Sequence, residues 1–165
     1  MADLIFLLTA TLTALTGGFF YAFSCAVNPG LARLSDGGYL AAMQSINKEI
    51  QNLLFLSSFM GTLLLLPLST WLEFRVGITD SFWLLLATTF VYTIAVFGLT
   101  MFGNVPLNEA LDRFNLSSAS AKDMAIQREK FEIPWNRFHR IRTVASVLTV
   151  MLVIAALVYR SRTSG

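Results

Sequence analysis

The charged residues of this chain fall in clusters, and the gaps between the clusters constrain its fold. From Met1 to Ala32 the only charged side chain is Asp3, and Ile50–Leu72, Ser81–Leu107 and Thr143–Tyr159 carry none. A helix needs about 20 apolar residues to cross a hydrocarbon core of roughly 30 Å. Leu4–Val27, Leu53–Leu72, Phe82–Gly103 and Ile141–Tyr159 meet or approach that length. Hydrophobic residues make up 55% and charged residues 13%, the latter about half the share of an ordinary soluble domain. Only closed helices or barrels satisfy the backbone in lipid, which disfavours a soluble bundle of the same helices. The sequence predicts an all-α, integral membrane four-helix bundle: one transmembrane domain over residues 1–165, multi-pass in the cell membrane, with both termini on one side.

The first span reads as a membrane helix and not as a signal peptide, because no Lys or Arg precedes Arg33. Asn28-Pro29-Gly30 predicts its end. Leu40, Met43, Ile46 and Ile50 then recur at helical spacing, as in an amphipathic helix lying in the membrane interface. Glu73 to Asp80 reads as a tight polar turn. The long third connection is partly helical: Asn104-Val105-Pro106 kinks or ends span three, Leu107–Leu116 and Asp123–Glu132 are helical, and Ile133-Pro134 restarts the chain into span four. Nine basic residues lie on the side of connections one and three, against Arg75, Arg160 and Arg162 on the other. The positive-inside rule puts those connections in the cytoplasm and Gly165 outside.

An up-down bundle brings the end of span one, the start of two, the end of three and the start of four to one face. The unusual polar residues sit there. Span one brings Tyr21, Ser24 and Asn28; connection one brings Asn47, Gln51 and Asn52; span three brings Asn104 and Asn108, four apart. Span four opens with Trp135, His139, Arg142 and Ser146 on one stripe, with Asn136 beside it. Polar groups at membrane depth are costly and face the bundle interior or a cavity. A polar pocket follows, walled by Phe19, Phe20, Phe23, Phe97, Phe102 and Trp135. Plainer roles stand beside this one. Asn28 and Asn52 suit helix capping, Arg137 and Arg140 suit snorkelling, and Thr9, Thr13 and Gly17 suit close helix packing.

One His and one Cys, far apart, give no transition-metal site. Neither a phosphate-binding glycine loop nor a nucleophile elbow is present. A net charge of +2 implies no nucleic-acid partner.

Phe23-Ser24 through Asn28-Pro29-Gly30-Leu31, Met43-Gln44-Ser45-Ile46-Asn47, Asn104-Val105-Pro106-Leu107-Asn108 and Trp135-Asn136-Arg137-Phe138-His139 with Arg142 together resemble the DUF1772, or anthrone oxygenase, family. The resemblance implies a four-span membrane protein, some of whose fungal relatives oxidise anthrones with molecular oxygen and no known metal or flavin. On that footing no cofactor is expected. His139 is the general base, and Arg142 steadies an oxyanion. Asn28, Asn47, Asn104, Asn108, Asn136, Trp135 and Tyr21 contact a lipophilic aromatic substrate drawn from the bilayer. The alternative is a non-enzymatic protein whose pocket holds a lipid head group, a quinone or a partner protein; a homo-oligomer is compatible with either.

Overall fold

The computed structural model describes residues 2–163; Gly165, expected outside, lies beyond them. Five helices and no strand are found among the described residues. Helix α1 covers Ala2–Leu31, α2 Asp36–Glu49, α3 Leu53–Val76, α4 Asp80–Asp112 and α5 Ala121–Thr163. Of these, α1, α3, α4 and α5 are long and apolar enough to span a membrane. The protein is a multi-pass membrane protein. In the bundle α1 packs on α3 and α5, while α4 packs on α5 and α3.

Starts follow local chemistry. Ser35, Asn52 and Thr79 cap α2, α3 and α4, accepting from the backbone N–H of Gly38, Phe55 and Phe82. Asn52 is therefore a cap, as its boundary position suggested.

The first expected break is present and the later ones are not. α1 ends at Leu31, one residue past Asn28-Pro29-Gly30. The tripeptide itself stays helical because a π-helical segment over Phe23–Val27 precedes it and the Asn28 N–H reaches back to the Phe23 carbonyl. The same wide turn over Thr100–Asn104 lets the Val105 N–H reach Thr100 and carries α4 past Pro106. A wide turn relieves the clash between a proline ring and the preceding turn. Pro134 lies inside α5, which runs unbroken. Phe131, Trp135 and His139 are buried on both sides of it, and that packing overrides proline's preference. Nor does the second connection begin at Glu73, since α3 continues to Val76.

Forty-three residues make α5 about 65 Å long, twice the hydrocarbon thickness. A helix that long extends beyond the hydrocarbon core, and α2 packs against its first half. The apolar stripe of α2 is thus spent on the protein: Tyr39, Leu40 and Met43 are buried against Leu111, Phe131 and Trp135. Outside the bilayer such burial contributes about 1.5–3 kcal/mol per large side chain. Arg128 ties this end together, donating to the Ala32 and Leu34 carbonyls at the end of α1, pairing with Asp36 and Glu132, and lying over the Tyr39 ring.

Within the bilayer helices gain little from apolar burial and rely on packing and hydrogen bonds. Thr9, Thr13, Thr62 and Thr88 each donate to the carbonyl four residues back. Thr9 also bonds Ser69, and Thr70 bonds Thr89, across helices. A Cβ on Gly17 would sit 2.8 Å from Val150 Cγ2, so this glycine sets the approach of α1 to α5.

Candidate functional site

The stripe at the start of span four is the spine of the site. Trp135, His139, Arg142 and Ser146 are all buried, with His139 fully so. The His139 ring stacks on Trp135 with centroids 5.0 Å apart. Arg142 Nε and one terminal nitrogen lie 3.3 and 3.1 Å from His139 Nδ1. A guanidinium only donates, so Nδ1 is the acceptor and the ring proton is on Nε2. From there a closed chain runs. His139 Nε2 lies 2.9 Å from Ser24 Oγ and donates to it. Ser24 Oγ is 3.1 Å from Thr143 Oγ1, which donates to the His139 carbonyl. Every polar atom of the imidazole is engaged.

Arg142 is held between the rings of Phe20 and Trp135, 4.4 and 5.2 Å from their centroids. Its other terminal nitrogen donates to Thr100 Oγ1 at 3.3 Å, and its carbonyl accepts from Ser146 Oγ. Among the described residues no carboxylate pairs with it.

A cavity of about 380 Å³ opens beside this guanidinium. Arg142, Thr100 and Phe59 line its inner part, with Phe19, Phe23, Phe55 and Trp135 as aromatic walls. The last turn of α2 supplies Asn47 and Lys48 and the turn into α3 supplies Gln51, while α4 supplies Met101, Val105, Asn108, Glu109 and Asp112 on one stripe. Lys48 and Asp112 are 3.3 Å apart at the rim. Asn47 is nine-tenths buried, and its Nδ2 has no partner.

Of the residues the sequence singled out, Asn47, Asn108, Trp135 and Arg142 line the cavity. His139 and Asn104 stand behind it. Asn104 Nδ2 donates to the Trp135 carbonyl, and Asn108 Oδ1 accepts from Trp135 Nε1 at 2.8 Å. Asn28, instead of capping, donates to Asn136 Oδ1 at 3.0 Å, and neither residue lines the cavity. Tyr21 does not converge: it is 60% exposed on the outer surface of α1. The aromatic wall differs from expectation too. Phe20 and Phe97 are packed into the core, Phe102 is 87% exposed, and Phe55 and Phe59 take their place. Thr100 went unnoticed although it precedes Asn104 and Asn108 at four-residue steps. Glu109 and Asp112 lie on the helix predicted over Leu107–Leu116, yet the sequence gives no sign that they face a cavity.

The family model described as anthrone oxygenase matches residues 52–152. The chain belongs to that family. The matched segment runs from the Asn52 cap through most of α5 and includes Thr100, Asn104, Asn108, Trp135, His139 and Arg142. Family membership thus covers one wall and the spine of the cavity, whereas Asn47 and the α1 phenylalanines lie outside the matched segment. No curated protein and no solved structure matches the chain.

Proposed function

We propose that this protein binds a lipophilic, weakly acidic aromatic ketone of the anthrone type and oxidises its methylene to a carbonyl with molecular oxygen. Atoms balance as CH2 + O2 → C=O + H2O. Loss of the methylene proton gives an enolate whose charge rests on the ketone oxygen, and this electron-rich anion reacts with oxygen. The observation that carries the reading is Arg142: a buried guanidinium without a carboxylate, opening on an aromatic cavity, in a chain of the anthrone oxygenase family. It would bear the enolate oxygen, with the aromatic walls of the cavity around the rest of the ligand. Such a preorganised donor is worth about 10²–10³ in rate. Trp135, Phe19 and Phe55 would flank the rings.

His139 takes a positioning role in this scheme. A general base needs a free lone pair facing the substrate, and the Nδ1 lone pair already accepts from Arg142. The imidazole fixes the guanidinium without neutralising it, as a carboxylate would. The protein would sit in the cell membrane with connections one and three in the cytoplasm, on the strength of the nine basic residues there. Leu53, Leu54 and Phe102, all more than four-fifths exposed near the cavity, suit a substrate arriving from lipid. The same surface favours the second reading, a site that holds a lipid or quinone without turnover.

The test is oxygen uptake by purified protein in lipid nanodiscs with anthrone. Wild type should consume oxygen and yield anthraquinone, and a folded Arg142→Lys protein should lose about 10²-fold, since an ammonium lacks the forked donors. Anthrone binding without oxygen uptake by the wild type would leave the second reading in possession.

A further inference from the structure

We infer that Glu109 is the proton acceptor for the substrate methylene; the inference rests on the reaction proposed above and assigns its missing base. A base must line the cavity, carry a free lone pair and lie at the right depth. The titratable side chains lining it are Lys48, Glu109, Asp112 and Arg142. Arg142 is the anion seat. Lys48 is a cation. Both carboxylates sit in exposed pairs, Asp112 with Lys48 at 3.3 Å and Glu109 with Arg113 at 3.6 Å. Ion pairs that exposed are worth about 0–1 kcal/mol and exchange freely with other partners.

Depth decides between the two carboxylates. Thr100, which accepts from Arg142, marks the level of the anion seat on α4. Glu109 is nine residues further along that helix, about 13 Å by helical rise, whereas Asp112 is about 18 Å away. In a ketone fused between two aromatic rings, the methylene carbon lies across the central ring from the carbonyl, about 4 Å from its oxygen. Allowing hydrogen-bond distances at both ends, guanidinium and base should be about 10 Å apart. A glutamate at the nearer level covers the remaining gap by leaning inward, and an aspartate one turn further out does not.

In the step itself the methylene C–H bond breaks and its proton forms an O–H bond on the Glu109 carboxylate. The electron pair moves through the ring onto the ketone oxygen at Arg142. With a side chain 62% exposed, Glu109 then returns the proton to water at the mouth.

Washout of deuterium from anthrone labelled at its methylene carbon, under argon, isolates this step from the oxygen reaction. Wild type should accelerate washout, Glu109→Gln should lose about 10²-fold of that acceleration, and Glu109→Asp should keep part of it. Anthrone binding, read by quenching of tryptophan fluorescence, should be unchanged in both. Washout by Glu109→Gln at the wild-type rate overturns the assignment, and if the wild type still consumes oxygen the proposed reaction survives that loss. A wild type that neither washes out deuterium nor takes up oxygen overturns the reaction and, with it, the role of Glu109.

Discussion

At the end of the bundle away from the cavity, Arg160 offers a test of how the helices are held together. Its Nε donates to Glu73 at 3.1 Å and a terminal nitrogen reaches Asp3 at 2.9 Å, with the guanidinium over the Phe6 ring. The two carboxylates are not equivalent. The Glu73 side chain is 2% exposed and that of Asp3 is 87% exposed, while Arg160 itself is 23% exposed. Arg160→Gln would therefore strand Glu73 in the bundle with the Thr79 hydroxyl, 3.1 Å away, as its remaining hydrogen-bond donor. Breaking a buried pair costs about 3–5 kcal/mol, and the partial exposure of Arg160 points to the lower end of that range. Thr79 and Arg160 bond different Glu73 oxygens, so in Glu73→Gln the amide oxygen serves Arg160 and the Thr79 bond is lost, while Arg160 keeps Asp3; about 1–2 kcal/mol is expected. The double variant should cost less than the two single costs added, by about 1–2 kcal/mol. Reversible unfolding in mixed micelles of rising dodecyl sulfate fraction, followed by tryptophan fluorescence, measures all three. Equal costs for the two single variants, or strict additivity, would refute the idea that this buried pair joins α3 to α5.

Gly103→Ala would place a Cβ 2.9–3.0 Å from three ring atoms of Phe138, pushing α4 off α5 between Thr100 and Asn104; a loss of about 1–3 kcal/mol is expected in the same unfolding assay, and an unchanged stability would contradict that packing. If His139 orients Arg142, His139→Asn should retain at least tenfold more oxygen uptake than His139→Gln, because the shorter amide can put an acceptor near the Nδ1 position. Equal losses of about 10²–10⁴ in both would restore the imidazole as the base.

The four spans were legible because absence of charge over twenty residues has one physical meaning. So was the end of the first span beside Asn28-Pro29-Gly30. The later breaks were not, and each failure has a cause. Pro106 signals interruption by local sterics, yet a preceding π turn moves the offending carbonyl, and nothing in a short sequence window announces that turn. Pro134 is carried through by burial on both sides of it, a tertiary effect. Glu73 looked like the start of a turn because it opens a polar run; its burial depends on Arg160, 87 residues away. Within the site, the Trp135–His139–Arg142–Ser146 stripe could be read because helical spacing alone aligns it. Tyr21 could not be placed by the same argument: the widened turn beyond it changes the phase between its face and that of Ser24. Sequence chemistry made His139 the base because imidazole is the usual one; only the geometry reveals which ring nitrogen is already occupied.

Arg142, which is buried, and Arg160, which is partly buried, define each other's purpose. A cation in a membrane-spanning bundle is costly, and the ordinary remedy is a carboxylate. Arg160 has that remedy in Glu73 and Asp3, and the result is a structural joint. Arg142 is buried more deeply, yet its contacts are a neutral imidazole, a hydroxyl and two aromatic faces. These fix its direction and leave its charge uncompensated. Were its task only to hold α4 to α5, a carboxylate on either helix would do so more cheaply, as the other end of the same bundle demonstrates. An uncompensated guanidinium beside a cavity is stable while water partly fills that cavity, and it gains most when an apolar molecule enters with a negative oxygen foremost. The contrast therefore favours an anionic ligand over a purely architectural role.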